Sequence, residues 1–283
     1  MQFLSLATLP VEVLNADGQA ISRASAFLYE SQNSELFLVT NWHVVTGRAP
    51  SDPSHSETGA VPYKLKCMLH ARQDDASAIR TGQLVNLEVP INSDDGNEPQ
   101  WLEHPDFRSG VDVVAVKLDH AQIAEQCKFH MLNHYEGFEP KYSHEAMDDV
   151  VVIGYPWGLS GSGGALPIFK RGSIASEPAV DYLGLPRFLI DCRTSPAMSG
   201  SPVIVQHSGI WNPGGSLGSD SIIGTVTNFV GVYSGRLVSN EIPSMGQAEI
   251  SEIGIVWKKD ALDAVVNEGV TATPLKDIAA IGS

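Results

Sequence analysis

The chain has 283 residues and a formal net charge of −15, from 18 basic and 33 acidic side chains. This excess of negative charge argues against nucleic acid as the main partner, and a hydrophobic content of 43% is enough to fill a sizeable core. The 26 glycines and 17 prolines predict many turns rather than long helices.

The N-terminus and the cysteines bear on the cellular location. Residues 1–10 lack a basic region followed by a sustained apolar run, so they do not resemble a signal peptide, and no stretch approaches the length of a membrane span. The three cysteines are odd in number and form no CxxC pair, which disfavours a disulfide framework. We therefore expect a cytoplasmic protein without a membrane partner.

The first half of the chain reads as a series of short strands. Apolar, β-rich runs bounded by turn residues predict strands at residues 3–14, 24–29, 36–45, 63–69, 84–89 and 110–118. His43 lies near the end of the third run, where a lone histidine is more often structural than catalytic. Asp112 lies near the start of the last run, where it could cap a turn or hold an imidazole as a buried carboxylate.

The second half continues in the same way after a polar connector at residues 133–149. Strands are predicted at residues 150–153, 168–176, 187–191, 222–226, 229–233 and 253–257. The helix at residues 258–268 has Ala261, Leu262, Val265 and Val266 at helical spacing and is ended by Gly269. The histidines show no paired ligand spacing, so we expect no metal site.

Residues 194–205 form the stretch with the most chemical information. Ser199 lies between Pro196 and Pro202 and is followed by Gly200, then by an apolar run that reads as a buried strand. A stiff turn that presents a hydroxyl suits a nucleophile, although it is also a common way to enter a strand. A serine nucleophile needs a general base, usually a histidine that a third group orients.

With His43, Asp112 and Ser199 in this chain order, the sequence resembles the trypsin-like serine proteases of the chymotrypsin fold. The local matches resemble the high-temperature-requirement branch and similar bacterial enzymes. Residues 39–45 are similar to its V-T-N-x-H-V segment, and residues 111–117 to its S-D-I-A-V-L-K segment. Further similarity lies at residues 153–159, 170–176, 191–202 and 253–268.

The resemblance implies an all-β fold of two six-stranded Greek-key β-barrels with a C-terminal α-helix. Residues 1–132 would form the barrel that carries His43 and Asp112, and residues 133–283 the barrel that carries Ser199 and the helix at 258–268. It also implies a serine endopeptidase that hydrolyses peptide bonds through an acyl-enzyme, acts on a protein or peptide substrate and needs no cofactor.

The resemblance further assigns the backbone N–H groups of Ala197 and Ser199 to an oxyanion hole. The family has glycine at the position of Ala197, so a positive φ there would strain the alanine. This departure keeps open a catalytically impaired protein that acts as a binding or regulatory module. A small-molecule esterase would show its nucleophile in a G-x-S-x-G elbow within a βαβ chain, and Ser199 does not lie in that pattern. No PDZ-like module follows the helix.

Specificity residues follow from the same register. Arg193, six residues before the serine, would lie at the base of the primary pocket and favour an acidic side chain; the alternative is that it points outward to solvent. The strand through Tyr233, Ser234 and Gly235 would pair with the substrate backbone.

Overall fold

The structure is a computed structural model that describes residues 3–54, 56, 59–71, 83–93, 98–161, 165–212, 218, 221–237 and 252–274. The α-helices of this part are α1 (Phe3–Ala7), α2 (Trp42–Thr46), α3 (His120–Gln126) and α4 (Lys259–Glu268). The strands that precede residue 130 are β1 (Thr8–Leu14), β2 (Ala20–Glu30), β3 (Leu36–Thr40), β4 (Lys64–Ala71), β5 (Leu84–Pro90), β6 (Leu102–Glu103), β7 (Val114–Leu118) and β8 (Cys127–Lys128). The later strands are β9 (Asp149–Gly154), β10 (Ile168–Ile174), β11 (Arg187–Asp191), β12 (Pro202–Trp211), β13 (Ile222–Arg236), β14 (Ile253–Lys258) and β15 (Val270–Thr271).

The strands form two sheets, which confirms the all-β architecture of two barrel-like halves. The first sheet has nine strands in the order β15-β6-β7-β3-β2-β1-β4-β5, with β8 paired to β4. Six of these strands are five residues or longer, and the two-residue strands β6, β8 and β15 add three to the predicted six. The described residues show no pairing between the two ends of this order.

The second sheet closes on itself as a six-stranded barrel in the order β10-β11-β14-β13-β12-β9. The end of the chain then returns to the first sheet, because Val270 of β15 pairs with Glu103 of β6. The division of the chain after residue 132 stays a prediction. None of the described helices combines the length and the apolar character needed to cross a membrane.

Three large clusters of buried apolar side chains fill the structure. One lies within the first sheet and contains Trp42 and Trp101, and another lies within the closed barrel and contains Phe188 and Val203. The third joins the two halves, because it combines Phe27 of β2 with residues of β9, β12, β13 and β14.

Helix α4 packs its apolar face into this joining cluster. Ala261, Leu262, Val265 and Val266 are all buried, which confirms the helix and the face predicted from their spacing. Tyr29 of β2 donates a hydrogen bond of 2.8 Å from its hydroxyl to Oδ1 of Asp263, so the helix is also tied to the first sheet by a polar contact.

We predict that Leu262→Ala destabilises the whole chain by about 2–5 kcal/mol, because it leaves a cavity where the two halves meet. The free energy of unfolding in urea measures the effect. Glu268→Ala, an exposed change on the same helix, is the control and should change stability by less than about 0.5 kcal/mol. Equal effects of the two variants would contradict the packing role of α4.

Candidate active site

His43 lies on a one-turn helix rather than at the end of a strand as the sequence predicted. Strand β3 ends at Thr40, and α2 begins at Trp42. The β-branched residues Val44 and Val45 favour a strand locally, but Gly47 closes the helical turn at φ 66° and donates its N–H to the His43 carbonyl at 2.9 Å. The Asn41 side chain donates to the Asp112 carbonyl at 2.6 Å, so a long-range contact fixes the start of the helix.

Asp112 is a buried carboxylate that receives several hydrogen bonds. Its side chain is 3% exposed. Oδ1 accepts the backbone N–H of His43 at 2.9 Å, and Oδ2 lies 2.7 Å from Nδ1 of the His43 ring. The Ser234 hydroxyl also donates to Oδ2. Of the two readings of this aspartate, the carboxylate that holds an imidazole is the one that the structure shows.

The environment of His43 changes its basicity. Burial lowers the pKa of the ring, but the negative charge of Asp112 and its hydrogen bond outweigh burial, so the pKa of His43 lies above its usual 6.5. The side chain remains 30% exposed, so an incoming molecule can reach part of it.

Ser199 lies beside this pair, and Ser234 connects them. The Ser199 hydroxyl donates to the Ser234 carbonyl at 2.9 Å, while the Ser234 hydroxyl donates to Asp112. Among the hydrogen bonds of the described residues, none joins Ser199 to His43. The structure thus brings all three predicted residues to one strand end of β13, with the serine in a resting position.

The turn that carries Ser199 is fixed against β2 of the first sheet. Ser25 donates its N–H to the Ser199 carbonyl at 2.8 Å and its hydroxyl to the Ala197 carbonyl at 3.0 Å. Gly200 has φ 84°, and a Cβ there would lie 2.1 Å from the Ser25 carbonyl oxygen. Glycine is therefore required after the serine both for the backbone angle and for this close approach.

The peptide bond between Pro196 and Ala197 has a fixed orientation, which sets the directions of the Pro196 carbonyl and the Ala197 N–H. The Pro196 carbonyl accepts the N–H of Trp157 at 2.7 Å. Because carbonyl and N–H point to opposite sides of a trans peptide, the Ala197 N–H points away from Trp157. In the described part of the chain, neither Ala197 nor Ser199 donates its N–H to a protein acceptor. Two backbone donors near Ser199 are therefore free for a ligand.

Ala197 adopts the positive φ that the sequence analysis considered, at 71°. Trp157, which holds the neighbouring carbonyl, is also at positive φ, at 58°. Met198, between Ala197 and the serine, is buried in the barrel cluster, so an apolar side chain anchors this turn.

The predicted specificity residues differ in their exposure and in their position relative to Ser199. Arg193 is exposed, which favours the outward alternative over the base of a pocket. Tyr233 is buried, and its hydroxyl is hydrogen-bonded to that of Thr194. Strand β12 pairs with β13 only as far as Val232, so the edge that includes Ser234 and Gly235 is open towards Ser199.

Several functional contacts were missed from the sequence. Ser25 lies in an apolar strand, and nothing in that strand signals that it reaches the serine turn. Trp157 contributes through its backbone, which sequence cannot show. Arg236 donates from its guanidinium to the Thr194 carbonyl, and its place is visible only once β13 is positioned beside the turn. Among the described residues, no group of three His, Cys, Asp or Glu side chains could hold a metal ion.

Comparison with solved structures finds proteases of low sequence identity to this chain. The HtrA-type protease AlgW with a tripeptide is 15% identical, with a TM-score of 0.49, and the match covers 93% of this chain and 61% of that chain. The Rv3671c protease from M. tuberculosis in its active form is also 15% identical, with a TM-score of 0.46 and coverage of 96% and 85%. The chain therefore spans about three fifths of the length of the HtrA-type protease.

Comparison with family models is more direct. No curated protein matches the chain. The model described as the trypsin-like peptidase domain matches residues 24–209, a range that contains His43, Asp112 and Ser199. This match covers well over half of the 283 residues. The chain belongs to the trypsin-like peptidase family.

Proposed function

We propose that the protein is a serine endopeptidase that cleaves peptide bonds through an acyl-enzyme. The observation that carries this proposal is the contact of 2.7 Å between the His43 ring and the buried Asp112 carboxylate, at the strand end that also holds Ser199. A buried acid, an imidazole and a serine on a stiff turn are the parts that nucleophilic acyl transfer requires.

In this proposal, Asp112 sets the state of the imidazole. A carboxylate that accepts a proton-bearing Nδ1 leaves the lone pair of the neutral ring on Nε2, where it can take the proton of Ser199. The same carboxylate stabilises the imidazolium that forms, and the imidazolium later protonates the leaving amine. The raised pKa of His43 is the equilibrium expression of that stabilisation.

Substrate binding would break the hydrogen bond between Ser199 and Ser234 and allow the Ser199 hydroxyl to bond to His43 instead. An extended peptide that adds to the open edge of β13 would place an N–H on the Ser234 carbonyl, which now accepts the Ser199 hydroxyl. Loss of that acceptor leaves the hydroxyl free to turn towards the ring. In this proposal, the hydrogen bond between Ser199 and His43 forms only in the substrate complex.

The free N–H groups of Ala197 and Ser199 would bind the oxygen that becomes negative as the serine attacks. Removal of one such donor in other serine proteases slows the reaction by about 10²–10³-fold. Because the Trp157 N–H holds the peptide that contains the Ala197 donor, the donor is oriented before substrate arrives.

A second candidate function is a protein of this fold that binds peptides but cleaves them slowly or not at all. The hydrogen bond of Ser199 to Ser234, in place of one to His43, is the observation that favours it. Hydrolysis of casein is expected of the peptidase and not of the binding protein. Hydrolysis of a small activated ester without hydrolysis of casein would instead indicate an esterase that does not act on proteins.

We predict that a fluorophosphonate labels the wild-type protein at Ser199 and does not label Ser199→Ala. Only an activated serine reacts at a useful rate with this reagent, because it mimics an acyl group under attack. Mass spectrometry of the labelled peptide identifies the site. Ser208→Ala, which removes an exposed serine from β12, is the control and should label like the wild type. Labelling that persists in Ser199→Ala would rule out the assignment.

We predict that the labelling rate falls as the pH drops, with a midpoint above 6.5. The sign follows from the raised pKa of His43: below it the ring is protonated and cannot accept the serine proton. Asp112→Asn removes the charge that raises this pKa, so it should lower the midpoint and slow the reaction by about 10⁴-fold. Asp17→Asn, at an exposed position, should leave the profile unchanged. A midpoint that does not move in Asp112→Asn would contradict the coupling.

We predict that Ala197→Gly stabilises the protein by about 1 kcal/mol, because glycine adopts φ 71° without the clash that alanine has there. The labelling rate should not fall. The matched control is Ala264→Gly within α4, which should destabilise by about 1 kcal/mol. Urea unfolding measures both variants, and a similar loss of stability in the two would show that Ala197 is unstrained.

A further inference from the structure

We propose that Arg236 makes the enzyme select substrates with an acidic side chain at the residue whose carbonyl Ser199 attacks. This inference rests on the proposed function and replaces Arg193, which is exposed, as the determinant of the choice. It gives the substrate class, peptides with glutamate or aspartate before the cleaved bond.

The position of Arg236 follows from the contacts of β13. Ser234, two residues earlier, contacts both Ser199 and Asp112. The Arg236 guanidinium reaches back across to the turn and donates to the Thr194 carbonyl. The guanidinium therefore joins the turn that leads to Ser199 with the end of β13 that contacts Ser199.

A bound peptide would direct a side chain into the space between these segments. The attacked residue would donate its N–H to the Ser234 carbonyl and place its own carbonyl at Ser199. Because side chains alternate about an extended strand, its side chain would then point into this space. The next residue along the peptide points away. Thr194 and Tyr233 are buried and hydrogen-bonded to each other, so the half-buried Arg236 is the group that the inward side chain would meet.

The charge of Arg236 has no carboxylate to balance it in the described part of the chain. Arg23, Arg108 and Arg171 each form an ion pair with a glutamate or an aspartate. The hydrogen bond that Arg236 makes is to a neutral carbonyl. A guanidinium has five N–H donors, and among the described residues only the Thr194 carbonyl accepts from that of Arg236.

A carboxylate is the group that complements this arrangement. The planar guanidinium binds a carboxylate through two parallel hydrogen bonds, and such charge-assisted bonds are roughly twice as strong as neutral ones. A lysine or arginine side chain in the same place would meet a like charge. An apolar side chain would exclude water from the guanidinium and offer its N–H groups no acceptor besides the Thr194 carbonyl.

The test uses four peptide amides that differ only in the residue before the cleaved bond: Glu, Gln, Lys or Leu. For the wild type we expect kcat/KM for the Glu peptide to exceed that for the Gln peptide by about 10- to 100-fold. Arg236→Gln should reduce the Glu rate to near the Gln rate and leave the Gln rate within about threefold. Arg236→Glu should shift the preference to Lys.

Two further variants locate the effect. Arg171→Gln, an exposed change on β10, should retain the Glu preference. Arg193→Gln should also retain it, and loss of the preference in that variant would return the role to Arg193 and overturn the proposal. If Arg236→Gln instead speeds cleavage of the Leu peptide and leaves the Glu rate unchanged, then Arg236 only blocks the space and does not select an acidic side chain, which would overturn the proposal.

Fluorophosphonate labelling separates failure of this inference from failure of the proposed function. If Ser199 is labelled but the four peptides are cut equally, or none is cut, then the assignment of Arg236 is wrong and the serine chemistry stands. If Ser199 is not labelled and no peptide is cut, the proposed function has failed, and the inference fails with it.

Discussion

The buried carboxylate of Asp112 sets the condition under which the site can form. An ionised acid removed from water is costly unless hydrogen bonds and an opposite charge compensate it. Here two donors come from His43 on α2, which follows β3 of the first sheet, and the third is the Ser234 hydroxyl on the closed barrel. Because one donor belongs to the other half, the carboxylate is fully satisfied only when the two halves are docked. Docking is in turn a matter of apolar packing: Phe27 and Phe229 meet edge to face across the halves, and α4 packs beside them.

The features that sequence predicts are those that recur along the chain or follow from chemistry at one position. The buried face of α4 follows from the spacing of Leu262 and Val265, and the need for glycine at residue 200 follows from the turn that it must make. The resemblance to the trypsin-like proteases paired Asp112 with His43 in advance, whereas the residues alone left the role of each open. The local structure at His43 was predicted wrongly. The β-branched neighbours of His43 favour a strand, but a contact between Asn41 and Asp112 fixes the start of a helix there.

The rest of the site depends on distances between residues far apart in the chain, and no local pattern encodes these. Ser25 and Ala197 are 172 positions apart, yet one hydrogen bond joins them. Trp157 acts through its N–H, which every residue except proline possesses, so its side chain is no guide. The direction of an arginine side chain is equally invisible: Arg193 fits the family register but is exposed, whereas the Arg236 guanidinium donates to the Thr194 carbonyl beside the serine turn.

The balance of energies in the serine turn shows what keeps the site in its working shape. Ala197 and Trp157 both lie at positive φ, which costs about 1–2 kcal/mol for each. The hydrogen bonds from Trp157 to Pro196 and from Ser25 to Ala197 return about 1 kcal/mol each. Local contacts therefore do not stabilise the turn by themselves. Met198 is fully buried in the barrel, and burial of such a side chain contributes about 1.5–3 kcal/mol. The apolar residue beside the nucleophile thus holds the strained backbone in place, and a polar side chain there would remove that support.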